Sequence, residues 1–390
     1  MRIALVAGEA SGDTLGAALL EALRRRFPDA RFAGVAGPKM KSAGCESWFD
    51  IEALSVMGLT EVLRHLPRLL RLRAELRRRI VDWRPDVFIG VDFKEFNLGL
   101  ARRLKRAGLR TVQYVSPQVW AWRPGRARTM GEAVDLILCL FPFEPDFYRE
   151  YGVRAAFVGH PLADQIPMEV DRGTARSALG IDPAARVLAV LPGSRRGEVE
   201  RLAEPFAGAA ELLAERYPGL VCLAPMVTPE LGELFGARCA THAPRAAVRR
   251  LDGNAHLALA AADVVLVASG TATLETALYK RPMVVAYRMG AITAFVLRRL
   301  GLVKVRYFSQ PNLLAGAELV PEFFQEQASP VNLADALAAW LEQPARVAQV
   351  QREFAAIHAS LRQGGADRAA GEIAELLAAW TAHAGTPGSP

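Results

Sequence analysis

The chain has 390 residues, room for two ordinary domains each with its own core, and 51% apolar against 23% charged residues excludes a disordered polymer. The net charge of +7 reflects arginine in large excess over lysine, a bias that identifies no acidic partner by itself, and no nucleic acid is expected. Cys45, Cys139, Cys222 and Cys239 form no CxxC pair, and no apolar run nears the roughly 20 residues of a spanning helix, so zinc, disulfide and transmembrane classes are excluded and a reduced, cytoplasmic, soluble or peripheral protein is expected.

The start, Met1–Gly8, does not read as a signal peptide; Arg2–Ala7 is a strand that runs into Ala7-Gly8-Glu9-Ala10-Ser11-Gly12-Asp13, with a helix from Thr14 to Arg26 that Asp13 or Ser11 is placed to cap. This turn is neither GxGxxG nor a P-loop, which disfavours dinucleotide binding and a dehydrogenase. Glu9 either projects toward ligand, where a carboxylate suits sugar hydroxyls better than a diphosphate, or is a plain turn residue. Between Arg64 and Arg79, seven arginines alternate with Leu63, Leu66, Leu69, Leu70, Leu76 and Ile80 at helical spacing, a basic amphipathic helix whose leucines pack inward and whose arginines suit anionic headgroups.

The strand Asp86–Val91 ends in Gly90-Val91-Asp92-Phe93-Lys94-Glu95-Phe96-Asn97, before a helix from Leu98 to Ala107. Asp92 and Glu95 are candidate general bases, because a sugar hydroxyl must lose its proton as it attacks, and Asn97 is a candidate acceptor contact. The strand Arg110–Val115 leads into Ser116-Pro117-Gln118-Val119-Trp120-Ala121-Trp122-Arg123-Pro124-Gly125-Arg126. Two indoles and two guanidinium groups suit a ligand with apolar and anionic parts; taken alone, the run reads first as a loop packed on the core. After the strand Leu136–Leu140, Phe141, Phe143 and His160 read as packing or hinge groups near a connection around Pro161 to Asp171.

The strand–helix rhythm then restarts with Arg186–Leu191, Leu220–Leu223, Asp263–Ala268 and Pro282–Ala286, which predicts α/β architecture with parallel strands covered by helices on both faces. Gly193, Ser194 and Arg195 lie between a strand and the helix Val199 to Arg216, and Ser269, Gly270, Thr271 and Ala272 repeat that layout, with Glu275 a little further on. Free N–H groups at two helix starts suit a nucleoside diphosphate, with Glu275 reaching ribose hydroxyls and Arg195 meeting the departing charge without a metal or other cofactor. The expected domains are 1–165, 166–345 and C-terminal helices in 346–383, with the apolar helices Leu333–Trp340 and Ile373–Trp380 bracing the first domain or forming an interface, and a frayed tail at 384–390.

Taken in order, the Ala7–Asp13 turn, Tyr114–Arg123, Phe141–Glu144, Gly159–Asp164, Leu191–Arg195, Ala268–Ala272 and Pro311-Asn312-Leu313-Leu314-Ala315-Gly316 closely resemble the lipid-A-disaccharide synthases across nearly the whole chain. The resemblance implies a GT-B architecture, two Rossmann-like domains facing an interdomain cleft, and an inverting hexosyltransferase. It would transfer 2,3-diacylglucosamine from UDP to 2,3-diacylglucosamine 1-phosphate, giving a β-1,6-linked disaccharide and UDP, as a peripheral protein on the cytoplasmic face of the inner membrane. UDP is then expected at the second domain, and the acceptor near Glu9, Asp92, Glu95, Asn97 and Asn312, with Trp120, Trp122, Arg123 and Arg126 in the cleft wall. The family usually has Pro-Asp where this chain has Lys94-Glu95, so the proposed base becomes Glu95, one methylene longer, with Asp92 as the other candidate. A second surface for lipid is the segment 291–302 beside Arg298 and Arg299, and a homodimer stays open. The rival readings are another UDP-sugar GT-B transferase acting on a lipid carrier, and a non-catalytic lipid-binding protein.

Overall fold

The computed structural model describes residues 1–54, 59–117, 124–290 and 306–384. It divides into two compact units, Met1–Asp164 with Leu361–Pro390, and Gln165–Ser360. Each is built on one fully parallel sheet.

In the first unit the strands are β1 (Arg2–Ala7), β2 (Arg31–Ala36), β3 (Glu46–Asp50), β4 (Val87–Val91), β5 (Arg110–Tyr114), β6 (Leu136–Cys139) and β7 (Ala155–Phe157), in the order β3-β2-β1-β4-β5-β6-β7. Alternation along β1 explains the layers. Ile3, Leu5 and Ala7 join the core formed with Leu19 and Leu20 of helix Ala10–Arg26 and Ile373 of helix Gly365–Ala384, whereas Ala4 and Val6 face Leu76, Ile80 and Leu100. Within the basic helix Leu59–Trp83, Leu76 and Ile80 are thus buried, and Arg68, Arg71, Arg77, Arg78 and Arg79 are exposed.

In the second unit β8 (Val187–Leu191), β9 (Val221–Met226), β10 (Arg249–Asp252), β11 (Val264–Ala268), β12 (Met283–Tyr287) and β13 (Glu322–Phe324) follow the order β10-β9-β8-β11-β12-β13. Helix Pro330–Glu342 places Leu333, Leu337 and Trp340 in this unit's core, and Val350 and Phe354 of helix Pro344–Leu361 join them. The Trp340 indole N–H donates to the Met283 carbonyl at 3.1 Å.

The boundary expected at residue 345 therefore moves. Residues 346–360 belong to the second unit, because their apolar face completes its core, and only the last helix returns to the first. Both crossings of the chain are tied together inside the first unit: Asp164 accepts from the N–H groups of Gly364 and Gly365 at 2.9 and 2.7 Å, and the His160 N–H donates to the Leu361 carbonyl at 2.9 Å.

Both strand orders reverse once, between β1 and β4 in the first unit and between β8 and β11 in the second. In open parallel sheets, the space beyond the carboxyl ends of such a pair is where neighbouring loops part and ligands bind. The four chain segments that leave those strand ends are Gly8–Asp13, Asp92–Asn97, Pro192–Arg195 and Ser269–Ala272.

Candidate active site

The turn after β1 is tighter than its sequence suggests. The helix begins at Ala10, with Glu9 as its N-cap residue, and Ser11, Gly12 and Asp13 lie inside its first turn. Gly12 serves close packing rather than a turn: a Cβ there would sit 3.3 Å from the Val91 carbonyl oxygen. Asp13 does not cap its own helix. Buried to 3% exposure, it accepts from the N–H groups of Gly37, Lys39 and Met40 at 2.9, 2.9 and 3.1 Å, and so closes the start of helix Pro38–Ser42.

After β4 the chain bends through Asp92 and Phe93, both left-handed, and enters helix Lys94–Lys105 four residues earlier than the sequence pattern indicates. The bend folds the Phe93 ring over Gly8, where a Cβ would meet its Cγ at 2.4 Å. Asp92 is half-buried and accepts from the Ser11 hydroxyl at 3.3 Å. Glu95 is exposed, the second residue of its helix, and has no ion-pair or hydrogen-bond partner among the described residues. Glu9, Asp92 and Glu95 thus share one switch point, two of them at helix starts where the backbone dipole stabilises negative charge.

Asn97 does not face this space. It is fully buried, and its amide N–H groups are spent on the carbonyls of Val6, Val91 and Asp92 at 3.2, 3.3 and 2.9 Å. Asn312 is likewise fully buried: it donates to Val320 O and Glu322 Oε1 and accepts from the N–H groups of Leu319 and Val320, all within 3.0 Å. Both were expected to touch acceptor; instead each stitches backbone, because a short amide satisfies several buried peptide groups at once. Arg126 is exposed at the end of the 3-10 turn Pro124–Arg126. Trp120, Trp122, Arg123, Arg298 and Arg299 lie outside the described residues.

The two glycine turns of the second unit prove unlike. In the first, Gly193 has φ 129°, and a Cβ would lie 2.6 Å from Glu198 Cβ. Glu198, in the first turn of helix Arg196–Arg216, folds back so that Oε2 accepts from the N–H groups of Ser194 and Arg195 at 3.0 and 3.3 Å. Donors expected to await an anion therefore already hold the protein's own carboxylate. The Arg195 guanidinium, 84% exposed, lies 3.5 Å from Glu198 Oε1.

In the second turn, Gly270 has φ 152° with open space where a Cβ would project. No described group accepts from the N–H of Gly270, Thr271 or Ala272, at the head of helix Thr271–Leu278. Thr273 fixes the turn by donating to the Gly270 carbonyl at 2.8 Å while accepting from the Gln310 N–H at 3.2 Å. Ser269 donates to Phe308 O at 3.0 Å, and Glu322 holds the N–H groups of Phe308 and Ser309. Glu275 is half-buried in the second turn of the helix; burial pushes its carboxyl above the ordinary range, with His256 acting against that rise.

His160 is buried, tilts over Phe141 at 5.7 Å, and accepts the Leu162 N–H on Nδ1 at 3.2 Å. Burial holds its imidazole down at about 4, so at neutral pH it is an uncharged packing group beside the chain crossing. Phe141 and Phe143 stack at 5.8 Å. The sequence reading missed Glu198, Glu322 and Gln113. Only Glu198 carried a local signal, a carboxylate three residues after the helix-capping position.

Comparison with known proteins agrees with this layout. A family model described as lipid-A-disaccharide synthetase matches residues 3–375. A lipid-A-disaccharide synthase of Xanthomonas campestris pv. campestris is 53% identical over 377 residues, covering 96% of this chain and 86% of that protein. One from Xylella fastidiosa is 50% identical, covering 96% and 98%. Among solved structures, the UDP-GlcNAc 2-epimerase from Neisseria meningitidis bound to UDP-GlcNAc aligns with TM-score 0.64 at 12% identity, covering 97% of this chain and 99% of that one, a likeness of fold alone. With two parallel α/β units of GT-B type and a family match over nearly its whole length, this chain belongs to the lipid-A-disaccharide synthase family.

Proposed function

We propose that the protein transfers 2,3-diacylglucosamine from its UDP donor to 2,3-diacylglucosamine 1-phosphate, forming the β-1,6-linked disaccharide 1-phosphate and UDP. The observation that carries the reading is the family match from residue 3 to 375, joined to 53% identity with a named synthase. The free N–H groups at Gly270, Thr271 and Ala272 support a diphosphate in the second unit. Glu275 then serves ribose hydroxyls, and Arg195 meets the charge growing on the departing diphosphate.

The acceptor lies with the first unit, where Glu95 takes the proton of the attacking hydroxyl. That oxygen bonds to the anomeric carbon as the carbon–oxygen bond to the β-phosphate breaks; the electron pair leaves on UDP and the configuration inverts. Asp92, steadied by Ser11, stands beside Glu95 as the second carboxylate. Glu9 hydrogen-bonds sugar hydroxyls. Arg126, with Trp120, Trp122 and Arg123, serves the acceptor phosphate and acyl chains.

The exposed arginines of helix Leu59–Trp83 rest on anionic headgroups, so that both lipid substrates are met at a membrane surface. No described helix is long and apolar enough to cross a membrane. The test of the whole reading is the product mass after incubation with UDP-diacylglucosamine and the monosaccharide phosphate. A disaccharide phosphate with equimolar UDP is expected; UDP release that ignores the acceptor, or no product, would overturn it.

A further inference from the structure

The strand ends of β4 and β5 carry backbone strain. Asp92, Phe93 and Val115 have φ of 51°, 39° and 76°, left-handed conformations that side chains, and β-branched ones above all, rarely adopt. Two buried amides hold them. Gln113, fully buried in β5, donates through Nε2 to the carbonyls of Asp92, Tyr114 and Val115 at 3.0, 3.2 and 3.3 Å. Asn97 donates to the same Asp92 carbonyl at 2.9 Å.

The amide oxygens of both side chains, Gln113 Oε1 and Asn97 Oδ1, are buried without a hydrogen-bond partner among the described residues. Both side chains crowd Gly90 of β4, where a Cβ would lie 2.8 Å from Asn97 Cβ and 3.0 Å from Gln113 Oε1. An apolar side chain would fill this space and orphan no oxygen, so burial alone does not account for two amides here. Strained backbone and orphaned polar groups persist where the surroundings over-determine a geometry that function uses. The geometry in question is the bend Asp92-Phe93, from which Asp92 and, three residues on, Glu95 project.

We propose that Gln113 is a positioning residue for transfer: with Asn97 it grips the Asp92 carbonyl, fixes the left-handed pair and thereby sets where the two carboxylates stand. The assignment rests on the acceptor-side role given to Asp92 and Glu95 above. Gln113 touches no substrate; it acts through the bend.

A double-mutant cycle separates this from simple packing. Gln113→Met, similar in volume but without a donor, is expected to lower kcat on the order of 100-fold, the scale of a small misplacement of catalytic groups. KM for the UDP donor and binding of UDP alone should stay as in the unaltered protein. In a Glu95→Asp background, whose carboxylate is already displaced, the same change should cost less than about threefold. Equal fold-losses in the two backgrounds, or an unchanged kcat in a folded Gln113→Met protein, would overturn the assignment. Should that variant fail to fold, Gln113→Asn, which keeps the amide but shortens its reach, faces the same two criteria. If the unaltered protein makes no disaccharide, the proposed function fails and this assignment with it; if it does and the cycle is additive, only the positioning role fails.

Discussion

The two units place the segments proposed to face ligand at the switch points of their parallel sheets, yet they bend the chain there by opposite means. In the first unit the turn after β4 uses Asp92 and Phe93, residues with side chains forced into left-handed backbone and held by buried amides. In the second, the turns after β8 and β11 use Gly193 and Gly270, at φ 129° and 152°. The difference follows from what each unit presents. A carboxylate must travel on a side chain, so its turn cannot be glycine. In the second unit the missing Cβ of Gly193 makes room for Glu198, and that of Gly270 leaves peptide N–H groups accessible to the diphosphate proposed there.

The sharpest way to break this comparison is to remove the charge that the first unit presents. Glu95→Gln keeps size and hydrogen bonding but cannot take a proton, and the loss in kcat should fall within about 10²–10⁴-fold. UDP affinity and thermal unfolding should be unaffected. Turnover within a few-fold of the unaltered protein would move the base elsewhere, with Asp92 next to be tested.

Next in size is a pH effect confined to the first unit. His160 is held at about 4 against an ordinary 6.5, so its neutral form is the folded one. As pH falls below 6.5 the unfolded chain takes up a proton that the folded chain refuses, and stability is lost down to about pH 4, by about 3 kcal/mol in all. Denaturant unfolding at pH 4.5 and 7.5 measures this. His160→Gln should shrink the difference between the two pH values, and an unchanged difference would mean that other groups carry it.

In the second unit, Gly270→Val puts a β-branched side chain on backbone that resists it and fills the space before three N–H groups that donate to no described group. UDP binding, followed by calorimetry, should weaken at least about tenfold from the obstruction, while roughly 1–3 kcal/mol of strain lowers stability. Acceptor binding should not change. A variant that binds UDP normally would show that the diphosphate sits elsewhere.

The sequence made the central strands and their terminal motifs legible, because β1, β4, β8, β11 and β12 are largely apolar runs buried on both faces, and β5, though it carries Thr111 and Gln113, is buried beside them. It hid β3, β7, β10 and β13, which form the sheet edges and are short, with only Leu251 buried among them. It also hid β2, which carries Gly34 at its centre; the strand needs glycine there because a Cβ would collide with the Leu5 carbonyl. At the site, residue types were legible and their partners were not. Asn97, Asn312 and Asp13 look like ligand or cap groups, and only the folded chain reveals which distant peptide groups each one satisfies.

The smallest effect is expected where the second unit contrasts with itself. Glu198 fills the Ser194–Arg195 turn with the protein's own carboxylate, while the Gly270–Ala272 turn is open. If the diphosphate uses only the open turn, Glu198→Gln keeps the side-chain shape and weakens two charge-assisted bonds at the head of helix Arg196–Arg216. The loss should be about 1 kcal/mol of stability, within the range of other helix caps, with UDP affinity changed less than about threefold. If instead the turn must be held rigid for Arg195 to reach the leaving group, kcat will fall while UDP affinity holds, and Arg195→Ala will show the same split. A gain in UDP affinity of tenfold or more would mean that Glu198 competes for donors that a phosphate can use. The two turns would then be equivalent sites, one of them masked by its own helix.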